Sequence, residues 1–270
     1  MDEAFPFFAA GDYEKAVVAY ERAANLDPTH YEAALYTGNT YYALKKYDIA
    51  GTWFAKAIAI DKDRETAHRY WADALWKSGK DREAVDKFLD AIIGEPYSSA
   101  AWRGIQQYAK VKNITLAHPK IDVPVGVTSS EGKTNITLGN ILDSKDDDGS
   151  FAWMAYGISR AAWQTGKGEK LSEDFAKAYP GEKAYRHSLA EEAAAFRMVI
   201  GLLKDDKKIK KLQPSLAALR RLEQEGLLES WILLTRASEG MRTDFAVYRN
   251  ANRDKIKRYL SDHVMKNGGA

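Results

Sequence analysis

A chain of 270 residues that is 45% hydrophobic and 29% charged has apolar material for one large or two ordinary domains and too much for a disordered polymer. The absence of cysteine excludes disulfides, thiolate catalysis and cysteine-bound metals, and no apolar run nears the roughly 20 residues of a membrane span. The net charge of +2 divides unevenly, −5 over residues 1–150 and +7 over 151–270. The back half thus favours an acidic partner or anionic surface, against the plainer expectation of a solvated helical face.

Met1 to Ala9 holds two acids, no base and no cleavable leader pattern. The expected compartment is the cytoplasm by default, or an extracytoplasmic one if a leader has been removed. Beyond it a 34-residue echo begins. Tyr13, Tyr47 and Asp81 share one phase; so do Ala16, Ala50 and Ala84, then Tyr20, Phe54 and Phe88, then Ala23, Ala57 and Ala91. Small and large residues recurring at this period predict a helix–turn–helix solenoid. In the clearest copy, the first helix is expected over Tyr31 to Leu44, a turn at Lys45 to Lys46, and the second helix over Tyr47 to Asp61. The third copy runs from Glu65 to Pro96, with its turn at Gly79 and a proline close. Small residues at Gly38, Ala72, Ala50, Ala84, Ala57 and Ala91 let antiparallel helices approach closely. Tyr41, Leu75, Tyr20, Phe54 and Phe88 fill the space between copies.

Gly38, Tyr41, Tyr47, Ala50, Phe54 and Ala57 stand where the tetratricopeptide repeat carries its signature. Gly11, Tyr13, Ala16, Tyr20, Ala23 and Pro28 match an earlier copy, and Ala72, Leu75, Gly79, Ala84, Phe88, Ala91 and Pro96 a later one. The segment from Met1 to Pro96 therefore resembles that family. Trp102 occupies the first-helix tryptophan position of a fourth copy, so Ser98 to Lys110 is expected as a capping helix with no second helix after it. Pro6 interrupts the first helix of the first copy. The resemblance implies a concave groove lined by the first helices. Its positions here are Glu32, Leu35, Asn39 and Tyr42, then Thr66, Arg69, Asp73, Trp76 and Lys77, then Arg103 and Gln107. Their spacing of three or four keeps each set on one helical face. Polar groups and aromatics together suit a peptide or helix; the alternative is that the C-terminal half fills the groove. A carboxylate clamp of the chaperone-binding subclass is not expected. Asn39 fits it, but Leu35 replaces its lysine and Tyr70 another polar member.

From Asn113 to Ser150 the helical pattern stops. Alternation over Ile121 to Val127 and Thr134 to Leu138 predicts a short β-hairpin with a loop longer than two residues at Ser129 to Lys133. Pro124 places its first strand at an edge, and such a hairpin needs a helical surface to rest on. Asp143 to Gly149 is acidic, but aligning Gly149 as the sixth residue of a calcium loop puts Ala155 where a glutamate is required. A linker with Asp148 and Ser150 capping the next helix is the better expectation.

The back half predicts a non-repeating helical bundle. Its helices are expected over Phe151 to Gln164, Gly181 to Leu203, from Pro214, over Leu227 to Arg236, and from Gly240 onwards, with a fraying tail from Lys266 to Ala270. His187 and Glu191, four apart, would share a helical face and could begin a metal or acid–base site. No third ligand or HExxH pattern supports one, and ordinary surface pairs among Arg186, His187, Glu191 and Glu192 are expected. No nucleophile elbow, P-loop or dinucleotide loop is present. The basic run Lys207 to Lys211 lacks aromatics for base stacking and is bordered by Asp205 and Asp206, so it predicts a solvated loop and no nucleic-acid partner.

The expectation is an all-α chain with a TPR-type array of about three repeats and a capping helix over 1–112, a hairpin-bearing linker over 113–150 and a helical domain over 151–270. Its function is expected to be non-catalytic binding of a protein or peptide, with no cofactor and no metal. The alternatives are an enzyme or small-ligand domain in 151–270 docked by the array, and a subunit that self-associates through its ends.

Overall fold

A computed structural model describes residues 1–130, 133–139, 141, 148–164, 171–203 and 209–267. Asp143 to Asp147 and Lys204 to Lys208, in the acidic and basic stretches considered above, lie outside the described residues. The chain forms two compact units, Met1–Leu116 with Leu260–Ala270, and Ala117–Tyr259. The hairpin falls inside the second unit, and the last residues group with the first.

The first unit is a run of antiparallel helices: α1 (Ala4–Ala9), α2 (Tyr13–Leu26), α3 (Tyr31–Ala43), α4 (Tyr47–Ile60), α5 (Glu65–Lys77), α6 (Asp81–Gly94) and α7 (Ser99–Lys112). Pro6 lies early in short α1, where its missing N–H leaves no intrahelical bond unmade. The 34-residue period is written into the backbone itself. Gly11, Lys45, Gly79 and Asn113 stand 34 apart and all adopt the left-handed conformation, at φ 79°, 58°, 78° and 54°. Glycine takes this conformation at no steric cost and asparagine tolerates it, whereas a lysine does so against the clash of its Cβ.

Between these turns the repeating phases close the core. Ala16, Ala50, Ala84, Ala57 and Ala91 are fully buried, as are Phe54 and Phe88, with Tyr20 almost so. Ala23, by contrast, stays half-buried. A Cβ on Gly38 would stand 2.6 Å from the Phe54 ring, and one on Gly104 would stand 2.3 Å from the Phe88 ring. The glycines thus seat the phenylalanines, each contributing about 1.5–3 kcal/mol by burial. Polar ties join residues 31 or 32 apart. Arg64 donates to Glu32 at 2.8 Å, Lys80 to Asp48 at 2.8 Å, and Lys112 to Asp81. After α7 the expected absence of a second helix holds, and strand β1 (Ile114–Leu116) stands in its place. It pairs antiparallel with the last strand, β4 (Met265–Asn267), in the register Thr115 to Lys266. Part of the tail expected to fray is therefore ordered by strand pairing.

In the second unit, β2 (Val125–Ser130) and β3 (Lys133–Leu138) form the hairpin. Its first strand begins after Pro124, which has no N–H to give the ladder. The register of the pair runs from Val125 with Leu138 to Ser130 with Lys133; the loop expected at Ser129 to Lys133 lies partly outside the described residues. The hairpin rests on α8 (Trp153–Gln164). A Cβ on Gly157 would stand 2.7 Å from Val125 and 2.8 Å from Ile136, so the missing side chain admits both. The Ser150–Ala152 turn precedes α8, with the Asp148 carboxylate accepting from the Ser150 N–H at 2.8 Å. The remaining helices are α9 (Glu173–Ala178), α10 (Leu189–Leu202), α11 (Pro214–Gln224), α12 (Leu228–Thr235) and α13 (Glu239–Tyr259), the last kinked at Asn252.

Two differences matter for the chemistry. The short α9 was not foreseen. Helix α10 starts at Leu189, eight residues later than the apolar stripe implied, because the buried Ser188 hydroxyl caps it by accepting from the Glu191 N–H. Tyr185, Arg186 and His187 therefore precede the helix.

Candidate functional site

The expected groove positions lie on α3, α5 and α7, and α5 packs against both of the others. On α3, Leu35 is 5% exposed within the apolar core, so its side chain serves packing and offers no surface to a ligand. Glu32, Asn39 and Tyr42 are half-buried. Glu32 is held by Arg64, and the Tyr42 ring packs on Tyr47 with centroids 5.5 Å apart. Burial, with the nearby Asp73 and Tyr47, raises the Tyr42 hydroxyl above its ordinary pKa.

On α5 the polar groups divide into a paired set and an unpaired one. Arg69 donates to Glu65 at 2.8 and 3.4 Å, and the Thr66 hydroxyl donates to the same carboxylate at 3.0 Å. Glu65, 5% exposed, is the organiser that the sequence reading missed; its signal was an acid four residues before an arginine in a first helical turn. Asp73 is half-buried and, among the described residues, receives no hydrogen bond or ion pair within 4 Å. Burial pushes its carboxyl up to about 6, against the opposing pull of Arg69 and Lys77. Trp76 is half-buried and meets the buried Tyr108 of α7 edge-on, centroids 5.4 Å apart. Lys77, Arg103 and Gln107 are exposed. Tyr108, unforeseen as a partner, fixes one face of the Trp76 ring.

The second unit holds a buried ionic cluster. Glu191 and Glu192 are fully buried, not surface residues as the sequence suggested. Because α10 starts at Leu189, residues 191 and 192 fall in its first turn, on a helix packed against α8. Arg160 of α8 pairs with both carboxylates, and Arg236, beyond α12, reaches Glu192 at 3.1 Å. The Tyr156 hydroxyl donates to Glu192 at 3.0 Å and that of Tyr185 to Glu191 at 2.9 Å. His187 meets Glu192, not Glu191, with Nε2 2.6 Å from the carboxylate. Burial alone would raise the Glu192 pKa, but His187, Arg236 and Arg160 outweigh it and hold the carboxyl below its usual value. Burial and the Glu192 charge push the Tyr156 hydroxyl up to about 12. The two carboxylates are thus saturated by cations and hydroxyls, the arrangement that a buried pair needs to persist.

A cleft of about 830 Å³ also opens between α10 and α13. Its walls include Ala190, Ala194, Val247 and Tyr248, and its polar lining includes Arg186, paired with Asp244, and Arg197, paired with Glu229. Arg186 lines it and His187 does not. Among the described residues no group of three or more His, Asp or Glu side chains could hold a metal ion, and no helix is long and apolar enough to cross a membrane.

Residues 7–72 match the family model described as a tetratricopeptide repeat. A comparison with curated proteins finds no match. Among solved structures, the first TPR domain of human RPAP3 is 20% identical, covering 40% of this chain and 86% of that one with a TM-score of 0.38. The second TPR domain of human RPAP3, solved with an HSP70 peptide, is 25% identical over 39% and 88%, with a TM-score of 0.37. The Yersinia enterocolitica chaperone SycD, solved with a peptide of the translocator YopD, is 19% identical over 40% and 82%, with a TM-score of 0.37.

Proposed function

We propose that the N-terminal segment, which belongs to the tetratricopeptide-repeat family, holds a peptide or helix of a protein partner along the inner faces of α3, α5 and α7. The observation that carries this reading is the half-buried state of Asn39, Tyr42, Asp73 and Trp76. The core is closed by other phases of the same helices, so these side chains are left partly open on one stripe. Solenoids use such surfaces for binding rather than chemistry. A partner segment would gain affinity from the aromatic anchors and from hydrogen bonds to its backbone. Arg103 and Gln107 on α7 extend the stripe, and Lys77 borders it.

The test is selection of a displayed library of random dodecapeptides on the full chain, alongside the Tyr42→Ala/Trp76→Ala variant. Wild type enriches binders whose affinity falls at least about tenfold, about 1.4 kcal/mol, in the double variant. Equal binding by a variant shown to be folded sinks the groove assignment. So does global unfolding of both single variants, which would make the two aromatics internal contacts.

A further inference from the structure

The charges along this stripe are not equivalent. Glu32 is neutralised by Arg64 and Glu65 by Arg69, each pair at 2.8 Å. Arg69 turns its Nε and Nη2 to Glu65 and acts on Asp73 only through its charge. Lys77, one turn along α5 from Asp73, is exposed and remains beyond ion-pair distance. Its field is screened by water, whereas that of a half-buried group is screened far less. Asp73 is therefore a partly desolvated carboxylate with both oxygens unsatisfied by the described protein groups. Its oxygens are not sealed from water, but partial desolvation gives it more to gain from a binding cation than a fully exposed carboxylate has.

The surroundings define what would relieve that cost. Tyr42 stands close enough for its hydroxyl to respond to the Asp73 charge. Trp76 lies one helical turn along the same face, its ring steadied by Tyr108. A neutral donor would satisfy one oxygen, but a cation restores the charge balance and makes a stronger hydrogen bond. A long aliphatic stem ending in a cation would lay its methylenes against the aromatics and its charge against the carboxylate. Lysine and arginine have that shape.

We propose that the groove selects a partner segment carrying a lysine or arginine, whose cationic head pairs with the Asp73 carboxylate while its stem lies along Tyr42 and Trp76. This specificity rests on the groove reading above and names the chemistry of its occupant.

The experiment uses the dodecapeptide library on three full-length proteins: wild type, Asp73→Asn and Tyr42→Ala/Trp76→Ala. Asparagine keeps the shape of aspartate, and an unchanged denaturation midpoint or a raised one verifies the fold. The expected result is a basic residue shared at one position among wild-type binders. Changing that residue to methionine should weaken binding to wild type about tenfold or more. Asp73→Asn should cause a similar loss, and in that variant the methionine peptide should bind no worse than its parent. Binders without a shared basic residue overturn the proposal, as does a basic residue whose effect persists in Asp73→Asn. If those binders still depend on Tyr42 and Trp76, the groove reading survives alone. If they do not, or if no binder emerges, both readings fall.

Discussion

The two units solve the problem of burying helices in different ways. In the array, identical phases bring small residues against large ones, and its buried side chains are mostly apolar: Ala50, Phe54, Ala57, Ala84, Phe88 and Ala91. The second unit also has an apolar core, with Trp153, Phe196 and Leu219 fully buried, but it places Glu191 and Glu192 in the interior and matches them with arginines. An apolar interface tolerates modest rearrangement because its forces are non-directional. An ionic cluster depends on every partner, since deleting one leaves the others buried and uncompensated. The array instead leaves Asp73 half-buried and without an ion pair among the described residues, on the stripe proposed above for binding.

The largest expected effect breaks the ionic cluster. Glu192→Ala should destabilise the second unit by about 3–5 kcal/mol, the cost of orphaning one side of a buried pair, read as lost hydrogen-exchange protection over residues 189–202. A loss below about 1 kcal/mol would mean that water reaches the cluster. In the array, the corresponding attack is overpacking. Gly104→Val should cost about 1–3 kcal/mol because Phe88 occupies the space a side chain would need, and denaturant unfolding measures it. A neutral outcome would show that α7 can shift away from α6.

Acidity should move the contributions of Asp73 and Glu192 in opposite directions. The Asp73 pKa is raised to about 6 in the folded state. Its contribution to stability is complete below the unfolded value of 3.8 and is lost as pH rises through about 6. The Glu192 pKa is lowered, so its contribution is present above the ordinary value of 4.5 and is lost as pH falls through the folded one. Asp73→Asn should therefore stabilise the array by about 1 kcal/mol at pH 7, after allowance for solvent screening, and flatten its profile between pH 4 and 6. Exchange protection followed separately over residues 65–77 and 189–202 distinguishes the two trends. An Asp73→Asn variant with the wild-type profile would show that water already solvates that carboxylate. The smallest effect sharpens the account of the repeat: Lys45→Gly should raise stability by up to about 1 kcal/mol by relieving a left-handed lysine. A lower thermal midpoint would indicate that the lysine stem packs more favourably than the turn is strained.

Much of the array was legible because its information is local and repeated. Gly38, Ala50, Phe54 and Ala57 specify which faces meet, and the helix ends follow within a residue or so: α3 and α4 each stop one residue earlier than expected. The positions expected for the groove fall on α3, α5 and α7 for the same reason, but Leu35 is buried by neighbours in the core. Glu65 was passed over because an acid in a first helical turn ordinarily faces water. In the second unit, an apolar stripe through Tyr185 suggested a helix that Ser188 cuts short.

The sequence by itself determined the solenoid, its period and its turns, since a 34-residue repeat dictates how each helix pair meets the next. Tertiary structure alone decided that β1 would take β4, about 150 residues away, as its partner. It likewise decided that Glu191 and Glu192 would be enclosed by Arg160, Arg236, Tyr156 and Tyr185, and that Asp73 would be left without one of the cations beside it. Strand partners and buried charges are chosen by distance in space, and periodicity carries no record of residues that meet only after the chain has folded.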